Sequence, residues 1–235
     1  DENLEKYLEY KERKKFILRK VFSNVTIDVS TLAKEMYVSE GTIALTIKQL
    51  KEELQADNVQ LYYDQGYKIK GSERSIRDLF LMHFAEPSIE IDIDERVEEF
   101  NDKSNLDLAD FSKSILTRFL TFLHMRIEKE RYIEDLDIFH DAEDFPYYEH
   151  IGILCKSLNH KEEKRYVAAF VSSLSSLNPY VDEKMIHTFV EQLLFSIENN
   201  LLIIIDNKDE LKSGIIRHLY SSYNRIKYQF PIYNP

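Results

Sequence analysis

Residues 26–71 constrain the chain more than any other stretch, because their apolar positions change period twice. Leu32, Ala33 and Met36 fall at helical spacing, and a break follows at Tyr37 and Val38. Ile43, Ile47, Leu50 and Leu54 then step by four, three and four residues, which draws one apolar face on a 3.6-residue helix. Ser39 precedes that run, where its hydroxyl can accept an orphan backbone N–H of the first turn. Two β-type segments come next, residues 59–63 and 67–70. Between them lie Asp64, Gln65 and Gly66, a tight turn whose glycine can take a positive φ. Helix, turn, helix and hairpin in this order describe a winged helix-turn-helix. In such a module the second helix is the one that enters the major groove of duplex DNA.

The charges fit a contact confined to this part of the chain. The first 85 residues balance, with 14 basic and 14 acidic side chains, so the whole net charge of −11 lies behind them. Phosphate attracts only local positive charge, so nucleic-acid contact is expected from the first third. Ser39, Thr42, Thr46, Lys48, Gln49 and Lys51 on the second helix are the candidate DNA-binding residues, with Lys68 on the wing. Glu40, Glu52 and Glu53 work against them. Upstream, residues 5–21 read as one long helix made basic by Arg13, Lys14, Lys15, Arg19 and Lys20. It reads as a solvated first helix of the domain, as a contact with the DNA backbone, or as both.

Behind the wing the pattern is helical. Ser72 is placed to cap a helix carrying Ile76, Leu79, Phe80 and Phe84, which Pro87 ends. Residues 86–95 read as the first domain boundary. Residues 106–130 form a strong helical segment, apolar round much of its surface. The acidic residues 135–144 read as a loop, and Pro146 as the start of a helix to about residue 159. Further helices are expected over 161–177 and 181–199, with a break between them at Asn178 and Pro179. Residues 201–205 suit a strand by composition and an extended link by context. Asp206 or Asn207 then caps a helix to about residue 223. The expected fold is mainly α: a winged helix-turn-helix over 1–85, a helical unit over 86–178, and the start of a second over 179–235.

Several functions are disfavoured. There is no HExxH, no glycine-rich phosphate loop and no Cys-x-x-Cys, and neither a metal site nor a cofactor is indicated, so the chain is not expected to be an enzyme. The longest apolar run, 201–205, is far too short to cross a bilayer, and no signal peptide is visible. A chain that opens on Asp1 is expected to be a fragment or a processed product. One cysteine, Cys155, suits a cytoplasmic protein, and its neighbours Ile151, Leu154 and Leu158 suggest a buried thiol. Seven histidines occur singly. His218 and Arg225 lie two turns apart on one helix and can share a face. A histidine there can accept a phosphoryl group beside a guanidinium, or it can be an ordinary helix residue.

Two stretches carry a family resemblance. Residues 32–43, LAKEMYVSEGTI, and 66–77, GYKIKGSERSIR, closely resemble the Mga-type helix-turn-helix of bacterial transcription regulators. Residues 211–235 resemble the opening of a PTS regulation domain, especially at His218-Leu219, Arg225-Ile226-Lys227 and Ile232-Tyr233-Asn234-Pro235. The resemblance implies a dimeric, promoter-binding regulator of carbohydrate uptake or related genes. Its helical-bundle regulation domains would be phosphorylated on histidine by the phosphocarrier protein or a sugar-specific component of the phosphotransferase system. His218 takes the first acceptor position of a second regulation domain, with Arg225 in support. In the first such domain the two acceptor positions fall on Phe119 and Phe170, which cannot take phosphate. Either that domain is a silent structural copy or His124 serves instead. Two other readings stand beside this one: an antiterminator-like RNA binder, and a virulence-type regulator of the same family without sugar control.

Overall fold

The computed structural model describes residues 2–22, 27–83, 91–155, 160–175 and 183–231. The first half of the expected boundary at 86–95, Phe84, Pro87, the break at Asn178 and Pro179, and the terminal residues 232–235 lie outside the described residues. The chain divides into two compact units. One comprises Asp1–Pro87 with Leu123–Glu134, and the other Ser88–Phe122 with Asp135–Ile232.

In the first unit α1 (Glu2–Phe22) is followed by α2 (Val29–Glu35) and α3 (Glu40–Ala56). The hairpin β1 (Gln60–Tyr63) and β2 (Tyr67–Lys70) and then α4 (Glu73–His83) complete it. The strands are antiparallel, with Gln60 opposite Lys70 and Tyr62 opposite Lys68. Ile17, Leu18, Val21 and Phe22 of α1 are buried with Ile43, Ile47, Leu50 and Leu54 of α3 and Leu79 and Phe80 of α4. Phe22 meets Phe80 edge to face, ring centroids 6.0 Å apart. Gly66 closes the wing turn at φ 136°, a conformation closed to most side chains. Ser72 caps α4, its hydroxyl accepting the Ser75 N–H at 3.0 Å. The Glu134 carboxylate accepts the Glu73 N–H of the same first turn at 2.8 Å.

The second unit opens with α5 (Ile91–Ser104), a helix that begins inside the expected boundary. Ile93, Val97 and Phe100, at steps of four and three, supply its buried face. α6 (Asp110–Ile127) starts later than the expected residue 106, because Asn105 and Asp107 take positive φ while Leu106 and Leu108 turn inward. Residues 137–144 are a 3-10 helix rather than a loop, held by the burial of Phe139 and Ala142. The helix expected from Pro146 is a 3-10 turn, Pro146–His150, and a short α7 (Ile151–Leu154). α8 (Lys161–Leu174) is buried continuously from Tyr166 to Ser173, and α10 (Lys208–Lys227) and the first 3-10 helix pack on it. Between them in sequence, α9 (Glu183–Leu201) packs on α10 through Ile186, Val190, Leu194 and Ile216. Residues 203–205 form no strand. They link α9 to α10 after Leu202 turns at φ 54°. The two-stranded hairpin is the sheet found among the described residues, so the fold is mainly α.

Candidate nucleic-acid interface

The module at the front of the chain is built from two capped helices. Asp28 caps α2, its carboxylate accepting the Thr31 N–H at 2.7 Å. That bond from the backbone holds the Asp28 pKa below the usual carboxylate range. After α2 the chain turns at Tyr37, which takes φ 54° and is 95% exposed. Ser39 then caps α3, accepting the Thr42 N–H at 3.1 Å, and its hydroxyl lies 2.8 Å from that of Thr42. β2 is tied to the start of the module by a bond from the Tyr67 N–H to the Ile27 carbonyl at 2.9 Å. These local bonds fix the pitch of α3 relative to the rest of the unit.

The candidate residues at and along α3 differ in what surrounds them. Lys48 and Gln49 project from the exposed side and have no hydrogen-bond or ion-pair partner among the described residues. Ser39 and Thr42 stand at the N-terminal end, engaged in the cap. Lys51 lies over the ring of Tyr67, 5.6 Å from its centroid. Thr46 is 1% exposed, which corrects the expectation that it reaches DNA. Its hydroxyl donates to the Thr42 carbonyl at 2.9 Å and accepts from Arg13 Nε at 3.0 Å. The cause is α1, which covers this flank of α3. Glu53 further along α3 takes a hydrogen bond from Tyr10 at 2.6 Å and pairs with Lys14. Basic side chains of α1 are thus engaged with α3.

On the wing, Gln60, Tyr62, Lys68 and Lys70 share the face opposite to Leu61 and Ile69, as the register requires. Lys68 donates to Asp64 at 2.7 Å, a bond that raises the ammonium pKa. Tyr63 and Tyr67 meet edge to face across the strands, 5.3 Å between centroids. Burial, with the neighbouring Tyr63, raises the Tyr67 phenol pKa.

Residues 2–84 match the Mga helix-turn-helix domain. The chain therefore carries a Mga-type helix-turn-helix domain at its N-terminus. No curated protein matches the chain. The Mga-type domain coincides with the helices and hairpin just described, and the rest of the chain is helical.

The histidine expected to accept phosphate, His218, is exposed on α10. Arg225, expected to support it, lies on the same helix. It is half-buried, and its Nε donates to the Ser173 carbonyl at 3.1 Å. Asn224 donates to the Ser172 carbonyl at 2.9 Å. Both carbonyls lie in the last turn of α8, where helical acceptors have no partner within the helix, so these side chains satisfy them. His124 is half-buried on α6. No group of three His, Cys, Asp or Glu side chains among the described residues could hold a metal ion. No described helix is long and apolar enough to cross a membrane.

Sequence reasoning missed two features of the interface. One is the pin from Arg13 to Thr46, which joins residues far apart in the chain. The other is Leu45, 57% exposed on the outer side of α3. Helical counting could have found it, since Leu45 falls two residues off each of Ile43 and Ile47, opposite the buried face.

Proposed function

We propose that this chain is a transcription regulator that reads duplex DNA through α3 and the wing of its Mga-type domain. The observation that carries the reading is the outer side of α3, where Lys48 and Gln49 are free above a helix anchored by its cap and its buried face. Lysine supplies phosphate or guanine contact, and glutamine pairs with the adenine edge. The exposed Tyr62, Lys68 and Lys70 on one face of the hairpin add a surface suited to the sugar–phosphate backbone. Titration of duplex DNA against a shuffled control, over a salt series, tests this. Sequence-specific binding that weakens steeply with salt is expected. Equal affinity for both duplexes at every salt concentration would count against it.

The regulation we assign to the remainder rests on the resemblance to PTS regulation domains. In this reading the chain works in the cytoplasm as a homodimer, and the phosphocarrier protein or a sugar-specific component phosphorylates His218. Exposure of His218 on α10 supports access for a protein donor. The α9 side chains Met185, Phe189 and Leu193, exposed at steps of four, support a contact between copies. Labelling of His218→Ala by the phosphocarrier cascade should be abolished, and full labelling of that variant would sink the assignment.

A second reading drops the sugar control. Phe119 and Phe170, at the acceptor positions of the first regulation domain, are both buried and in contact, so no phosphoryl donor reaches there. A wild-type chain that takes no label from the cascade yet binds its operator would favour this reading.

A further inference from the structure

The recognition helix carries an apolar patch that its own domain does not use. Ile43, Ile47, Leu50 and Leu54 of α3 are at most 3% exposed, whereas Leu45 is 57% exposed. Around Leu45 the outer surface is made of Gly41 and Thr42 one turn before and Lys48 and Gln49 one turn after, with Ala44 towards one edge. A Cβ at Gly41 would meet only the Ser39 hydroxyl, at an ordinary 3.7 Å, so internal packing does not demand glycine there. The result is a small apolar surface centred on Leu45, bordered by the Thr42 hydroxyl, a cation and an amide. Glu52 stands on the same side further along.

We propose that Leu45 reads the 5-methyl group of a thymine, making a T at one defined position part of the site. This rests on the reading of α3 as the DNA-contacting helix. The thymine methyl is the apolar group that the major groove displays, and it distinguishes A·T pairs by contact with an apolar side chain. The small residues Gly41 and Ala44 let the base edges approach the helix closely, and Gln49, one turn on, is placed to pair with an adjacent adenine. Together these side chains select an A·T step rather than a guanine.

The test uses the full chain and duplexes recovered from a randomised pool by binding to it. Each thymine in the recovered site is replaced in turn by deoxyuridine, which removes only the methyl group, and affinity is measured at one fixed salt concentration. For the wild type, one position should lose about four-fold, the value for burying one methyl-sized apolar group. Leu45→Ala should abolish that sensitivity at the same position, and circular dichroism should show an unchanged helix content because the side chain is exposed. Sensitivity that persists in L45A, or a wild type insensitive at every thymine, overturns the role of Leu45 and leaves DNA reading by α3 standing. A pool from which no sequence is enriched overturns DNA reading itself, and the role of Leu45 with it.

Discussion

Phe119 and Phe170 stack ring on ring, with centroids 4.0 Å apart and planes inclined by 28°. Both are almost fully buried, one on α6 and the other on α8. The two positions that the family resemblance assigns to phosphate acceptors thus meet in the aromatic core of the second unit. Tyr166 and Phe230 border the pair, at 5.6 Å from Phe119 and 5.2 Å from Phe170 respectively. Stacked apolar rings hold helices together where a histidine pair would need water or a protein donor. Phe170→Ala should destabilise the protein by about 3–5 kcal/mol, the range for deleting a buried phenyl ring. Urea unfolding followed by tyrosine fluorescence measures the loss, and a midpoint equal to that of wild type would contradict the packing account.

The carboxylate of Glu73 holds two guanidiniums inside the first unit. It accepts from Arg77 Nε at 3.0 Å and from Arg126 Nε and Nη2 at 2.9 and 2.7 Å. Arg77 is fully buried and also donates to the Arg131 carbonyl at 3.2 Å. Removing one charge from a buried network leaves the others uncompensated. Glu73→Gln should therefore cost about 3–5 kcal/mol of stability. A double-mutant cycle of E73Q with Arg126→Met separates the direct pair from the rest. Additive costs in that cycle would mean that the two side chains do not interact.

Thr46 offers a clean separation of stability from recognition. Thr46→Val removes the acceptor for Arg13 and keeps the shape of the side chain. A loss of about 1.5–3 kcal/mol is expected, as for other bonds to charged donors. Base preference should stay as it is, because the residue is buried. A changed preference in sites selected by T46V would show that α1 moves aside on DNA.

Lys48 should contribute to the salt dependence of binding. Lys48→Ala is expected to lower the slope of log affinity against log salt by about 1 if it neutralises one phosphate. Lys68→Ala should change it less, because Asp64 already competes for that ammonium. An unchanged slope for K48A, with altered discrimination at one base pair, would assign Lys48 to a guanine edge instead.

Cys155 is buried beside Ile151 and Leu154, and burial pushes its thiol up from 9.0 to about 12. The native protein should resist alkylation at pH 8 and react fully in urea. Linkage gives the sign of the pH effect. Between about 9 and 12 the unfolded chain releases the thiol proton while the folded chain keeps it, so stability is complete below 9 and falls as pH rises through that window. Cys155→Ala should flatten this part of the stability curve, and an identical alkaline slope for C155A would place its cause elsewhere.

The sequence determined what neighbouring residues decide among themselves. The inner face of α3, the Ser39 and Ser72 caps and the hairpin closed by Gly66 all depend on groups within one or two turns of the chain. Their spacing is visible without a structure, and the winged helix-turn-helix is legible on that account. His218 likewise falls on a helix that follows from its period. Tertiary structure decided which polar side chains are spent inside. Thr46 falls three residues after Ile43 and four before Leu50, at the edge of the apolar face, and a polar side chain can stay there because α1 covers that flank and Arg13 bonds its hydroxyl. Arg225 shares a helix face with His218 by spacing, but that its guanidinium bonds an open carbonyl at the end of α8 follows only from the packing of α10 on α8. The helical turn at 137–144 exists because Phe139 finds Tyr166 and Phe230 across the core. Helical periodicity and capping act over a few residues and are written in the chain. Burial of a polar group depends on partners brought together from distant segments, and only the packed structure supplies them.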